Sequence, residues 1–93
     1  MEQRKALGEA IRMMRNQRNL PQEGIGASQS YISSVERGEK SPSIEKIEKI
    51  SMALDVHPMS LLAVGFLLED EGLSIEKLLE RVCREVKTAL SAR

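Results

Sequence analysis

The sequence is poor in aromatic residues, with one tyrosine, one phenylalanine and no tryptophan among 93 residues. A core must therefore be built from Leu, Ile, Val, Ala and Met, a palette that favours helices. Apolar and polar residues alternate at period two for only a few positions at a time, so strands are not expected. Composition predicts an all-helical chain, and length predicts one small domain with perhaps one appended element.

Cysteine, histidine and long apolar runs are also scarce. Cys83 is the single cysteine and cannot form an internal disulfide, which favours a cytoplasmic protein. We expect its thiol to be partly buried and unreactive. The longest apolar run, residues 61–68, is too short to cross a bilayer, and no signal peptide opens the chain. We therefore expect a cytoplasmic protein with no membrane partner.

No pattern typical of catalysis or of a cofactor site is present. His57 and Cys83 are far apart in sequence, so they form no metal-ligand cluster, and His57 before Pro58 is expected to cap a helix. No glycine-rich phosphate loop follows a strand, and no nucleophile has a suitable general base. We expect neither an enzyme nor a cofactor, a metal or a small-molecule ligand.

The net charge is zero, with 14 basic and 14 acidic residues. The chain as a whole therefore lacks the basic excess that marks many nucleic-acid-binding proteins. The charge is unevenly distributed, however, because residues 1–20 hold five basic residues against two acidic ones.

Apolar residues at helical spacing divide the chain into five amphipathic segments. Serine residues suited to N-capping precede three of them, and Gly65 is expected to end the fourth. The segments are residues 2–18, 28–37, 43–56, 58–64 and 74–91.

Residues 28–37, here called the reading helix, combine an apolar face with faces of short polar side chains. Ile32 and Val35 can face a core, whereas the other faces carry short hydroxyl or amide side chains. Such side chains allow close approach to a polar surface, and glutamine can pair with adenine in the major groove of DNA. A plain surface helix with a serine-rich face would show the same pattern.

Three runs together resemble the phage-repressor and Cro (XRE-type) family of helix-turn-helix DNA-binding domains. They are Arg12-Met13-Met14-Arg15, Leu20-Pro21-Gln22-Glu23, and the run from Ser28 to Ser43 that contains Tyr31-Ile32-Ser33-Ser34-Val35-Glu36-Arg37-Gly38. The resemblance covers roughly residues 4–64. It implies a five-helix bundle whose third helix, residues 28–37, enters the major groove. The expected architecture is this bundle over residues 1–65, followed by a linker and a C-terminal dimerisation helix over residues 66–93.

The resemblance also implies site residues by position. Base-reading side chains are Gln29, Ser30, Ser33 and Ser34. DNA phosphate contacts are Gln22, Ser28, Arg37, Lys40, Ser41 and Ser43. An internal ion pair between the first and third helices is assigned to Arg15 and Glu36. The alternative for Gln29 and Ser30 is solvent-exposed capping, and for Arg37 and Lys40 it is ordinary surface charge.

The connection before the reading helix departs from the family pattern. Gln22 and Tyr31 are nine positions apart, about one helical turn, or four residues, fewer than the family uses. Gly24 and Gly26 each disfavour helix by about 1 kcal/mol relative to alanine. Two outcomes follow: one helical turn from Pro21 to Gly24 with a sharp bend at the glycines, or a swapped dimer in which the first helix packs on a neighbouring chain. Either outcome leaves the reading helix with less support.

The C-terminal helix lies outside the resemblance. Its apolar stripe is too long for an isolated solvated helix, so we expect a two-fold homodimer formed mainly by residues 66–90; the alternative folds this helix back on its own domain. The dimerisation residues are Ile75, Leu78, Leu79, Val82, Val86 and Leu90.

Three function classes stay open. The leading hypothesis is a sequence-specific, repressor-like transcriptional regulator that binds double-stranded DNA as a homodimer on a two-fold operator. The second is a protein-interaction module, such as an antitoxin-like partner or a helix-turn-helix domain that mainly dimerises. The third, an enzyme, has no motif in its favour.

Overall fold

The computed structural model describes all 93 residues and contains five α-helices and no strand. The all-helical class expected from composition is thereby confirmed. The helices are α1 (Gln3–Gln17), α2 (Gln29–Glu36), α3 (Ile44–Leu54), α4 (Pro58–Glu69) and α5 (Ile75–Ser91).

Side-chain caps fix where all five helices begin. Glu2 caps α1, since its carboxylate accepts a hydrogen bond from the Arg4 N–H at 2.9 Å. Ser28, Ser43 and Ser74 each accept a hydrogen bond from the backbone N–H three residues further on, at 3.2–3.3 Å. His57 caps α4, since its Nδ1 accepts a hydrogen bond at 2.9 Å from the N–H of Met59, two residues further on. These bonds satisfy backbone donors that have no partner within the helix.

The core lies between α1, α2, α3 and α4, and α1 packs along α4 and against α2. Gly8 of α1 is buried where α1 meets α2, because a Cβ there would collide with the carbonyl oxygen of Val35. The largest fully buried apolar side chains come from all four helices and from the α1–α2 connection: Ile11, Ile25, Ile32, Val35, Ile50, Leu54 and Leu61.

Helix α4 is longer than the sequence predicted, because Gly65 does not end it. The helix continues to Glu69, and the domain boundary expected between residues 65 and 66 falls inside it. Gly65 is buried against α1, where an added Cβ would lie 3.6 Å from Leu7. Packing on α1 outweighs the low helix propensity of a single glycine.

The helical turn expected over Pro21–Gly24 does not form. A turn at Glu23 and Gly24 and a series of bends replace it. Gly24 and Gly26 have φ angles of 87° and 92°, in the left-handed region that right-handed helix excludes. At Gly26 the chain also passes close to α3, since an added Cβ would lie 2.8 Å from the carbonyl group of Lys49.

The short connection nevertheless folds back on its own domain. Ile25 is buried in the core, Ala27 packs against it, and α1 contacts α2 and α4 of the same chain. A bend that inserts Ile25 into the core therefore takes the place of a helical turn. Ile25 supplies part of the packing that the missing turn would have given to α2.

Helix α5 lies at the edge of the bundle, where it contacts α4 and has no buried residue. Cys83 is exposed, so the expectation of a partly buried thiol was wrong. A helix that packs on one neighbour cannot bury a residue placed off its apolar stripe.

None of the five helices is by itself both long and apolar enough to span a membrane. Only α3 and α4 taken together meet that length and composition, and their axes are bent by 104°.

The two glycines of the connection provide a test of its packing. Gly24→Ala should lower the free energy of unfolding by about 1 kcal/mol, because alanine is strained at positive φ. Gly26→Ala should cost about 2–3 kcal/mol, because it adds a collision with the α3 backbone to the same strain. Chemical denaturation measures both. Gly24 has nothing within 4 Å of an added Cβ, so equal losses would contradict the close approach to α3.

Candidate nucleic-acid interface

Helix α2 buries one face and presents polar side chains on the others. Ile32 and Val35 are fully buried in the core and anchor the helix. The polar positions fall on adjacent faces of the helix by their spacing. The structure leaves Gln29 and Ser30 exposed and Ser33 and Ser34 half-buried. All four side chains assigned to base reading therefore belong to one anchored helix.

A bidentate ion pair ties α2 to α1. Arg15 Nε donates to Glu36 Oε2 at 2.7 Å, and Arg15 Nη2 donates to Glu36 Oε1 at 3.0 Å. The side chains are only 13% and 3% exposed. Hydrogen bonding to Glu36 raises the pKa of the Arg15 guanidinium above its usual value. The two residues to which the resemblance assigned an internal ion pair are thus in direct contact.

The Glu36 carboxylate also bonds the connection between α1 and α2, which contains no helix. Gln22 Nε2 donates to Glu36 Oε1 at 3.1 Å, and Arg15 Nη1 donates to the Leu20 carbonyl oxygen at 2.9 Å. Both bonds join residues 20–22 to the contact between α1 and α2. The resemblance placed Gln22 at a DNA phosphate; the structure gives its amide an internal partner 14 positions away. No local signal in the sequence could have found this contact.

A second ion pair lies on the exposed end of α2. Arg37 Nε and Nη2 donate to the two carboxylate oxygens of Glu39 at 2.9 and 3.1 Å, and Arg37 Nη1 donates to Ser33 Oγ. Hydrogen bonding to Arg37 lowers the pKa of Glu39, and the same pairing raises the pKa of Arg37. The Arg37 guanidinium, assigned to a phosphate, therefore contacts both the Glu39 carboxylate and Ser33, a side chain assigned to base reading.

Two lysines meet at the Tyr31 ring of α2. Lys40 Nζ lies 5.6 Å and Lys46 Nζ 5.1 Å from the ring centroid, within the range of a cation–π contact. Lys46 was not among the predicted site residues; its position three residues after the cap Ser43 is the only sequence signal for it. Arg37, Lys40 and Lys46, here called the cationic flank, collect positive charge beside α2. Ser41 and Ser43 are exposed in the same loop region.

The predicted dimerisation residues line or extend an apolar groove between α4 and α5, of about 440 Å³. Leu78 and Val82 are half-buried against α4. Ile75, Leu79, Val86 and Leu90 are 38–53% exposed. Nine of the ten residues that line the groove are hydrophobic, and Ser60 is the exception: Met59, Ser60, Ala63, Val64, Phe66, Leu67, Ile75, Leu78, Leu79 and Val82.

No group of three or more His, Cys, Asp or Glu side chains is arranged to hold a metal ion.

Sequence comparison identifies the class of protein. The helix-turn-helix family matches residues 11–61, which is more than half of the chain and includes all of α2 and α3. The chain belongs to the helix-turn-helix family of DNA-binding transcriptional regulators, which confirms the resemblance drawn from its motifs.

Two relatives show how far the similarity extends. The chain is 34% identical over 65 residues to the uncharacterized HTH-type transcriptional regulator y4dJ of Sinorhizobium fredii (strain NBRC 101917 / NGR234), with 66% of this chain and 84% of the relative covered. It is 40% identical over 60 residues to the control protein C.BamHI of Bacillus amyloliquefaciens, with 59% of this chain and 74% of the relative covered. No solved structure gives a significant match.

The buried ion pair leads to a stability prediction. Glu36→Ala should lower the free energy of unfolding by about 3 kcal/mol, because it leaves the largely buried Arg15 guanidinium without its partner. Glu85→Ala is the matched control: Glu85 pairs with Arg81 at 3.1 Å on exposed α5, so its loss should cost little. Urea denaturation of both variants measures the difference. A loss for Glu36→Ala as small as that for Glu85→Ala would show that the α1–α2 pair is not buried in solution.

Proposed function

We propose that the protein is a repressor-like transcriptional regulator of the cytoplasm that binds a specific two-fold operator as a homodimer. One observation carries this proposal. A polar helix is held by a buried ion pair and flanked by cations, within a chain of the helix-turn-helix family. The names of the two relatives, a transcriptional regulator and a control protein, also favour regulation.

In the proposed complex the N-terminal half of α2 reads bases in the major groove. Gln29 and Ser30 are exposed at the start of the helix, and the Gln29 amide can form a bidentate contact with adenine. Ser33 and Ser34 follow one turn later and are short enough to allow the helix backbone close to the base edges. The Arg15–Glu36 pair fixes the helix before DNA arrives, so little ordering is required on binding.

Phosphates are bound on both sides of the reading helix. The cationic flank and the hydroxyl groups of Ser41 and Ser43 bind phosphates of one DNA strand. Ser28 at the beginning of α2 and Gln22 in the connection before it bind phosphates on the other side, because the Gln22 amide has a second N–H besides the one bonded to Glu36. These contacts give register and affinity without reading sequence.

The proposed dimer is built from residues 66–90. The apolar groove between α4 and α5 and the exposed Val86 and Leu90 form a surface that a second copy of the chain would cover. A two-fold axis through this surface would set the two α2 helices about one turn of DNA, roughly 34 Å, apart.

A protein-interaction module is the second candidate, and the same groove favours it. The groove is strongly apolar, whereas the chain as a whole carries no net positive charge. A stable complex with an unrelated partner chain, together with no mobility shift of any duplex, would favour this candidate over the regulator.

Base reading and phosphate binding are separated by two substitutions. Gln29→Ala should weaken binding to the preferred duplex by about 1–3 kcal/mol and relax sequence preference at one position. Lys40→Ala should weaken preferred and random duplexes alike and reduce the salt slope by about one. Fluorescence anisotropy titrations across salt concentrations measure both effects. Equal effects of Gln29→Ala on preferred and random duplexes would exclude base reading by this residue.

The dimer is tested by a charge placed on its surface. Leu79→Lys should convert the dimer into a monomer at micromolar concentration, because a buried lysine without a partner strongly opposes association. Lys77→Ala, at an exposed polar position of α5, is the control and should leave the dimer intact. Sedimentation velocity gives the oligomeric state. A monomeric wild-type protein, or a Leu79→Lys variant that stays dimeric, would contradict the proposed interface.

A further inference from the structure

Arg37, which is assigned to a DNA phosphate, uses most of its N–H donors within the protein. A guanidinium has five N–H donors. Three of those on Arg37 have acceptors in the free protein: two bond the Glu39 carboxylate and one bonds Ser33 Oγ. The side-on edge of the guanidinium, which would bind a phosphate with two parallel hydrogen bonds, already holds Glu39 in that geometry.

Glu39 is also badly placed for contact with DNA. It lies in sequence between Arg37 and Lys40, two cations of the proposed phosphate-binding flank, and the positive charge of Lys40 further lowers the pKa of Glu39. The carboxylate is therefore ionised at neutral pH. A DNA phosphate that approaches Arg37 meets a like charge that competes for the same N–H groups.

We propose that Glu39 sets the DNA affinity of this protein, because its carboxylate holds Arg37 until a phosphate replaces it. The proposal rests on the DNA-binding function argued above and adds a residue that weakens it. Glu39 makes no attractive contact with DNA. It acts by occupying Arg37 and by repelling phosphates, so its removal should strengthen binding.

The exchange of partners also predicts a change in salt dependence. Binding of Arg37 to a phosphate releases counterions from DNA, which makes affinity fall with salt. The displaced Glu39 carboxylate takes up cations from solution and cancels part of that release. Removing the carboxylate should therefore make the salt dependence steeper.

Glu39→Gln is the direct test, because it keeps the shape of the side chain and removes the charge. The probe is a fluorescent duplex of random sequence, about two helical turns long, because a phosphate contact does not depend on sequence. Glu39→Gln should bind about three- to tenfold more tightly than the wild type. Its log–log salt slope should be steeper by up to about one.

Two controls isolate the local effect from net charge. Glu85→Gln removes the same charge from an exposed arginine pair, since the Glu85 and Glu39 side chains are 58% and 56% exposed. Glu85 is not one of the six predicted dimerisation residues, so a Glu85→Gln variant that sediments like the wild type should bind DNA nearly as the wild type does. In an Arg37→Ala background the gain from Glu39→Gln should shrink, because no guanidinium is left to release. Thermal melts and sedimentation of each variant confirm that fold and oligomeric state are retained.

The outcomes separate this proposal from the proposed function. If the wild type binds DNA and Glu39→Gln binds no more tightly, the role of Glu39 is overturned while DNA binding stands. The same holds if Glu85→Gln gives an equal gain, or if the gain persists without Arg37. If neither wild type nor Glu39→Gln binds any duplex, the DNA-binding function itself fails and the role of Glu39 falls with it.

Discussion

The buried pair between Arg15 and Glu36 is the interaction on which the position of α2 depends. Glu36 accepts three hydrogen bonds, two from Arg15 on α1 and one from Gln22 in the connection. One carboxylate thus joins α1, the α1–α2 connection and α2, and fixes the position of these three parts relative to one another. Because both charges are largely out of water, loss of either partner is costly.

The shortened connection shows how a missing helical turn is replaced. Ile25 enters the core, Gly26 lies against the backbone of α3, and Gln22 bonds Glu36. Each contact does part of what a second helix packed across α2 would do. The glycines that argue against a helix in this segment are the residues that permit the replacement, since left-handed φ angles and close backbone approach both exclude larger side chains.

Local features of the sequence predicted most of the fold, and contacts between distant residues account for what it missed. The starts of four helices could be predicted from their capping residues, because an N-cap depends on only a few neighbouring residues. These caps are Ser28, Ser43, His57 and Ser74. The prediction that α4 ends at Gly65 was wrong, because Gly65 packs on Leu7, which is far away in sequence. Two contacts could not be predicted from the sequence for the same reason: the hydrogen bond of Gln22 to Glu36 and the cation–π contact of Lys46 with the Tyr31 ring. The partners of Arg37 are local, but their geometry required the structure.

Much of the positive charge beside α2 is neutralised within the protein itself. The net charge is zero, Arg15 is committed to Glu36, and Arg37 is committed to Glu39. Lys40 and Lys46, the two lysines at the Tyr31 ring, have no ion-pair partner. In the proposed dimer two such surfaces act on one duplex, and the second binds at a high effective concentration once the first is bound. Specific binding would then depend on dimerisation through the α4–α5 groove, so occupancy of an operator would rise steeply with protein concentration.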